Sequence, residues 1–401
     1  MAKVCIIGFG CIGSGAYEIL KENKDIISKR AHEDIEVKYI VDIRDFSQHE
    51  VAPYVTDNFD KVLADDEVDV VIESMGGVTY AYEYTKAALK KGKNVVTSNK
   101  ELVAAKGDEL FALAKENGCK YFYEASVGGG IPIIRPLLTS LNANNITQIS
   151  GILNGTTNYI LTKMIKEGTS FDDAVSQAQK LGYAERDPSA DVEGHDACKK
   201  ISILSSMALG KKVNFEDVYT RGITEITLAD TKYAEALGCA IKLIGRFKKT
   251  DCGAEVFVSP MFVPSDSPLY SVEDVFNAIM VTGDMLGDAL FYGKGAGKLA
   301  TASAVISDVI EVVKGSMDDI NVPWESCKEK IIADYSDVKG SFVARISNND
   351  GAMSLALNRF ENVKTLEIID GEFAIITQEM TVCDFNKALD GLDVLNSFMF
   401  A

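Results

Sequence analysis

Residues 3–7, Lys-Val-Cys-Ile-Ile, form a short apolar run followed at once by Gly8-Phe9-Gly10-Cys11-Ile12-Gly13. A helical pattern through Ala16, Tyr17, Ile19 and Leu20 comes next. This order leaves few folds open. An apolar run of that length reads as a buried strand of a parallel sheet covered on both faces. Gly8 permits a tight turn, Gly10 lets a pyrophosphate approach the backbone, and Gly13 lets helix and strand pack closely. The helix N-terminus then offers the positive end of its dipole to an anion. A second strand is expected over 35–41. The chain therefore opens as a βαβ dinucleotide-binding unit, with Gly8, Gly10, Cys11, Ile12 and Gly13 against the cofactor.

The second strand ends in Val41-Asp42-Ile43-Arg44-Asp45. A carboxylate there accepts hydrogen bonds from ribose hydroxyls, and an arginine pairs with a 2′-phosphate. Either Asp42 and Arg44 satisfy each other on a loop or they meet the cofactor. Arg44 then favours NADP(H) and leaves NAD(H) open. Strands at 68–73, 94–97 and 120–124 alternate with helices at 80–91 and 107–117, continuing the α/β pattern. Lys100, in Ser98-Asn99-Lys100, falls at a carboxyl end, where open sheets bind ligands. It is either a cofactor- or substrate-facing lysine or a solvated one. The segment 124–132 runs into three consecutive glycines beside Glu124, and is either a plain tight turn or an oxygen seat for a hard cation.

The most chemically loaded stretch is 182–200. Its loop, punctuated by Pro188 and Gly194, carries Glu185, Asp187 and Asp191 and runs into a helix from about His195 to Leu209. There Ile203, Leu204, Met207 and Ala208 mark the buried face. Stepping back by fours from Leu204 reaches Lys200 and Asp196, two opposite charges on the face that should be dry. Buried charges are costly unless paired or used. The pair is either structural or lines a substrate pocket in which a poorly hydrated lysine passes a proton.

From Pro132 onward the character is mixed. Helices are expected at 133–141, 159–167 and 170–181, with a strand at 146–153. Further strands are expected near 222–226, 256–263 and 277–283, with a helix around 231–243. A glycine loop at 291–297 reads as a hinge or lid before a helix at 301–313 that packs back on the first domain. A linker is expected over 318–336. The tail then reads β-α-β-β-α-β: strands 341–347, 363–369, 372–379 and 394–400, helices 352–360 and 384–391. The expected fold is thus an α/β Rossmann-type nucleotide-binding domain over 1–131, completed by about 296–318. An α+β catalytic and dimerisation domain spans 132–295, and a small βαββαβ domain spans 337–401.

A net charge of −18 argues against nucleic-acid and anionic-membrane surfaces. The eight cysteines are scattered and the three histidines lack a supporting motif, so no thiolate or imidazole metal centre is expected. Neither a basic-then-apolar leader nor a long apolar run is found, and a cytoplasmic location is expected.

The combination resembles homoserine dehydrogenase over most of residues 1–315. In that family an alanine, three residues, glycine and an aromatic or aliphatic residue precede Asp-Pro-x-x-Asp. An aliphatic residue, x-Gly-x-Asp and three residues then lead to lysine. Ala178, Gly182, Tyr183, Asp187, Pro188, Asp191, Val192, Gly194, Asp196 and Lys200 fill this pattern without a gap. The resemblance implies interconversion of L-aspartate 4-semialdehyde and L-homoserine with NAD(P)(H), in threonine, methionine and isoleucine biosynthesis. It implies Lys200 as proton donor and acceptor. Glu185 and Asp196 would hold the substrate's amino group and hydroxyl, with Asp191 alongside. Lys100 is implied between nicotinamide and substrate, and Gly182 and Gly297 at the cofactor. Glu124 with the carbonyl oxygens of Val127, Gly129 and Ile131 is similar to the family's sodium site. The tail is similar to an ACT-type amino-acid-binding module, and a homodimer or higher homo-oligomer through the second domain's sheet is implied. Cys11, where threonine is usual, and Lys294 and Ala300, where prolines are common, depart from the pattern. Two other readings stand beside this one: another lysine-dependent nicotinamide dehydrogenase of small amino or hydroxy acids, and a cofactor-binding amino-acid sensor.

Overall fold

The computed structural model describes residues 1–251, 253–315 and 323–401. The chain divides into two units, one of 1–145, 202–215 and 293–328, the other of 146–201, 216–292 and 329–401.

In the first unit, strands β1 (Ala2–Ile7), β2 (Ile35–Val41), β3 (Val55–Thr56), β4 (Val70–Glu73), β5 (Asn94–Thr97) and β6 (Tyr121–Phe122) form one sheet. Their order is β3-β2-β1-β4-β5-β6, and every pairing is parallel. This is the doubly wound arrangement, and the order reverses between β1 and β4, where such sheets hold dinucleotides. The helices of this unit are α1 (Cys11–Glu22), α2 (Lys24–Ala31), α3 (Phe59–Leu63), α4 (Thr79–Lys90) and α5 (Lys100–Glu116). The apolar sides of α1 and α2 and the fully buried Val4, Ile6, Val70 and Ile72 share one core. Gly15 lets α1 lie against the later helix 298–314, since a Cβ there would stand 3.0 Å from that of Ala302.

The second unit contains α6 (Gly155–Glu167), α7 (Phe171–Lys180), α8 (Ser189–Val192) and most of the first half of α9 (His195–Leu209), followed by α10 (Leu228–Ala236). Its large sheet is built from β7 (Ile146–Ile152), β8 (Tyr219–Thr220), β9 (Cys239–Thr250), β10 (Gly253–Pro264), β11 (Phe276–Gly283) and β12 (Gly287–Lys294). After α11 (Lys298–Lys314), which belongs to the first unit, the tail supplies β13 (Lys339–Gly340), β14 (Phe342–Ser347), α12 (Ala352–Arg359), β15 (Lys364–Leu366), β16 (Glu372–Ile376), β17 (Met380–Thr381), α13 (Val382–Ala388) and β18 (Val394–Phe400). The strand order is β12-β11-β7-β9-β10-β18-β14-β16-β15, so the tail continues the same sheet through a parallel β10–β18 pairing. A buried network reinforces that junction. Arg345 on β14 donates to Asp230 on α10 and to Glu372 on β16, and Asn396 donates to Asp230 at 3.0 Å.

Several expectations need correction. The helix expected at 231–243 ends at Ala236, and β9 begins at Cys239. Gly238, at φ +66°, breaks the helix, and β9 and β10 then pair from Thr250–Gly253 to Cys239–Pro264. The strand near 222–226 is a loop, because Gly222 crosses so close to 192–193 that a Cβ would stand 2.1 Å from the Val192 carbonyl. The helix at 133–141 is a π-helical turn, Pro136–Ser140, closed by Leu141 N donating to Pro136 O. The α5 helix starts at Lys100 rather than 107, capped by Asn99. Of the linker expected at 318–336, residues 318–322 lie outside the described residues. From Pro323 on the chain is packed rather than loose. Trp324 is buried edge-on against Phe111 and Tyr123, and Ile332 bridges to Ala254.

Candidate active site

In the first unit the glycine turn is set as its sequence dictates. Gly8 has φ +85°, and a Cβ on it would press on Ser74 O at 3.1 Å. A Cβ on Gly13 would stand 2.1 Å from Gly8 O, so only glycine lets α1 leave β1 at this angle. Nothing lies within 4 Å of the Cβ position of Gly10. That open approach, in front of the first amides of α1, is what a pyrophosphate requires. Cys11, exposed, and Ile12 are the first residues of that helix. The donor set and the space therefore fit a dinucleotide.

Beyond β2, Asp42 accepts from the Phe9 amide at 2.8 Å, which ties it to the glycine turn. The exposed Arg44 guanidinium folds onto the same carboxylate through Nε and Nη2, at 2.9 and 2.7 Å, and holds it well below the usual carboxylate range. Lys100, half-buried, is the first residue of α5 and follows the cap Asn99. Gly297, at φ +120°, precedes α11 with open space at its Cβ position.

The Glu124 turn is also in the first unit. Its carboxylate accepts from three successive amides, Ile133 and Ile134 at 2.6 and 2.9 Å on Oε1 and Arg135 at 2.7 Å on Oε2. Little of it is left for a metal. Gly128 and Gly129, at φ +71° and +57°, turn the chain so that Gly129 meets Gly295, where a Cβ would stand 2.3 Å from the carbonyl oxygen. The remaining donors, the carbonyls of Val127, Gly129 and Ile131, are neutral.

In the second unit α9 places Asp196 and Lys200 one turn apart, 5% and 8% exposed, on the face their spacing predicts. Lys200 Nζ donates to Leu153 O and to Asp196 Oδ2, both at 2.7 Å. Asn154, the cap of α6, donates from Nδ2 to Asp191 Oδ1 at 2.7 Å and to Asp196 Oδ2 at 2.8 Å. One amide thus holds two carboxylates together. Burial, and then the charge of Asp196, push Asp191 above its usual pKa. An ammonium has three donors. Two of those on Lys200 are spent within the chain, and the third suits an incoming oxygen. Two acids sharing one lysine leave negative charge that suits a cationic substrate group.

The structure therefore brings Lys200, Asp196 and Asp191 together. Glu185 is exposed on the 182–188 loop, and its backbone carbonyl accepts from Gln179 Nε2 at 3.1 Å. Gly182, at φ +75°, ends α7 and is likewise exposed. Asn154 is the member that sequence reasoning passed over. Its signal was Asn154-Gly-Thr-Thr157 after a strand, a cap pattern in which the Thr157 amide bonds to Asn154 Oδ1.

Residues 8–124 match the model of the homoserine dehydrogenase NAD-binding domain, and 132–310 match that of homoserine dehydrogenase itself. A homoserine dehydrogenase of Neisseria gonorrhoeae is 43% identical, over 98% of this chain and 95% of that protein. The chain belongs to the homoserine dehydrogenase family. Among solved structures, a homoserine dehydrogenase from Thiobacillus denitrificans superimposes with a TM-score of 0.90 at 33% identity, over 100% of this chain and 98% of the other. A hyperthermophilic archaeal homoserine dehydrogenase in complex with NADPH gives 0.66 at 31% identity, over 78% and 97%. The protein is accordingly an NAD(P)-dependent oxidoreductase that interconverts L-aspartate 4-semialdehyde and L-homoserine, in the aspartate-derived amino-acid pathway.

Proposed function

We propose that Lys200 carries the proton in this homoserine dehydrogenase reaction. The observation behind this reading is the buried Nζ, fixed by Leu153 O and Asp196 at 2.7 Å. In reduction the aldehyde carbon gains a hydride and its oxygen takes a proton from Nζ. In oxidation the neutral amine takes the hydroxyl proton as the carbon loses its hydride. Asp196, Asp191 and Asn154 orient the amine and receive the substrate's ammonium group, and Glu185 joins them by family resemblance.

Hydride chemistry comes from the nicotinamide when it is bound. Gly8, Gly10, Cys11, Ile12 and Gly13 would hold its pyrophosphate. Lys100, Gly297 and Gly182 complete the proposed contacts. NADP(H) is the favoured form, because the exposed Arg44 can turn from Asp42 to a 2′-phosphate without losing an ionic partner. The NADPH bound by the archaeal relative supports the same choice. Following reduced-cofactor formation with L-homoserine tests it. Arg44→Ala should raise the KM for NADP about tenfold or more, since a charge-assisted bond contributes roughly 1.5–3 kcal/mol, and leave that for NAD unchanged. An unchanged NADP constant would remove Arg44 from the cofactor site.

The carbonyls of Val127, Gly129 and Ile131 suit a monovalent cation such as sodium, with Glu124 fixing the turn rather than supplying charge. The order β18-β14-β16-β15 with α12 and α13 supports an ACT-like module over 337–401, beside a cofactor domain of 1–131 with 296–318 and a catalytic domain of 132–295. A homodimer through the second unit's sheet would cover the exposed Leu286, Leu290 and Tyr292. Among the described residues seven cysteines are free, six of them buried or half-buried and only Cys11 exposed, which suits a reducing cytoplasm. No helix among the described residues is long and apolar enough to cross a membrane.

A further inference from the structure

At the carboxyl edge of the parallel sheet, β4 ends in a carboxylic acid that the proton chemistry above does not use. Glu73 is 0% exposed. Its Oε1 accepts from the Met75 amide at 2.8 Å and its Oε2 from Thr97 Oγ1 at 2.5 Å. The same Thr97 oxygen accepts from the Asn99 amide at 2.9 Å. Asn99 Oδ1 accepts from Leu102 N at 3.1 Å, capping α5, and Asn99 Nδ2 donates to Gly77 O at 2.7 Å. The bonds close a ring. Glu73 reaches the 98–100 turn through Thr97, that turn reaches Gly77, and the 74–77 turn returns to Glu73. Lys100 is the next residue after the cap.

We propose that Glu73 is a positioning residue for the dehydrogenase reaction, joining the 74–77 and 98–100 turns so that Lys100 is presented in one fixed orientation. This rests on the reading of Lys100 as an active-site lysine. A structural acid has no need of such a place, since a buried carboxylate without a cation beside it is costly. Ser or Thr at the end of β4 would serve a plain turn.

The ring has two states. Ionised, Glu73 accepts from both the Met75 amide and the Thr97 hydroxyl. Protonated, one of its oxygens becomes a donor, and Thr97 must turn its hydroxyl elsewhere, which loosens the hold on Asn99. Burial pushes the Glu73 pKa up to about 7, against the hydrogen bonds from Thr97, Met75 and Asn99. The titratable group facing it from β6 is the Tyr121 phenol, itself buried and raised well above its usual value. From β1 the register partner is Ile7, which is apolar, and Lys100 starts α5 at the same edge. Because the folded-state pKa of this acid is raised, the ionised, Lys100-fixing form appears only as pH rises through about 7.

The test compares pH profiles of kcat/KM for L-homoserine oxidation in the parent, Glu73→Gln, Lys100→Met and the double variant, with circular dichroism and thermal unfolding as fold checks. Glu73→Gln keeps the shape but cannot ionise. It should lose the inflection near neutral pH and stay about tenfold below the parent at alkaline pH, the worth of one buried hydrogen bond. In the Lys100→Met background the same substitution should add no further loss. Thr97→Val, which cuts the ring without touching the acid, serves if Glu73→Gln does not fold, and should show the same tenfold loss. A Glu73→Gln profile that superimposes on the parent's, or a loss that persists undiminished beside Lys100→Met, would overturn the proposal. Full activity of Lys100→Met alone would instead overturn the reading of Lys100.

Discussion

Lys200→Ala lowers turnover by about 10²–10⁴-fold, the range for one positioned acid–base group, and leaves cofactor affinity intact. The turn that would hold the pyrophosphate is built wholly from residues 8–13 and their neighbours in the first unit, whereas Lys200 is bonded to Leu153 and Asp196 in the second. The variant also loses stability. Removing the amine leaves Asp196, 5% exposed, with a carboxylate that Asn154 must serve together with Asp191. Breaking a buried pair on one side costs about 3–5 kcal/mol. A lower melting temperature alone would therefore explain nothing about catalysis. The double variant Lys200→Met with Asp196→Asn separates the two effects, because it removes both charges at nearly unchanged volume and leaves an oxygen for Asn154. It should regain the parent's melting temperature and remain inactive. Turnover restored along with stability would strip Lys200 of its chemical role.

Gly13→Ala should abolish cofactor binding at working concentrations. The new methyl group would need to occupy space 2.1 Å from Gly8 O, 2.9 Å from Ser74 Oγ and 3.0 Å from an Ile6 methyl. The first of these is backbone and cannot rotate away, so α1 must shift off β1. Overpacking of this kind costs about 1–3 kcal/mol or more, and displaces the amides meant for the pyrophosphate. A loss of 3 kcal/mol in binding would be roughly a hundredfold in Kd. Gly10→Ala is the informative contrast. Its Cβ position is open within 4 Å, so this variant should keep the parent's melting temperature and still bind cofactor weakly, because the methyl fills the approach to the backbone. Isothermal titration with each cofactor, beside thermal unfolding, reads both. If Gly10→Ala binds as the parent does, the pyrophosphate does not pass that turn.

Much of this was legible from local pattern alone. The run of 3–7 into three spaced glycines fixes a strand, a turn and a helix that have few alternatives, and the structure has all three. The four-residue steps from Leu204 to Lys200 to Asp196 placed two charges in the dry face of α9, where both are found. Elements whose limits depend on distant partners were harder. The boundary between α10 and β9 rests on one glycine, Gly238, and on a twelve-residue hairpin partner; periodicity in 231–243 could not separate a buried helix from a buried strand. Asn154 and Glu73 were missed for a related reason. Each ends an apolar strand, a position that reads as the edge of solvent, and each is buried because a second strand or helix from elsewhere in the sequence closes over it. Conversely, Glu185 carries a role by resemblance to its family, while its side chain stands exposed on a loop.

The claim on which the account depends is that one amine serves both directions of the reaction. The kcat for L-homoserine oxidation and for L-aspartate 4-semialdehyde reduction, measured on the parent and on Lys200→Arg at saturating cofactor, tests it most directly. Oxidation needs an amine that can take up the hydroxyl proton, whereas the arginine variant, which stays charged, has no free lone pair for it and should be inactive in oxidation. An arginine variant that oxidises homoserine as fast as the parent would contradict it.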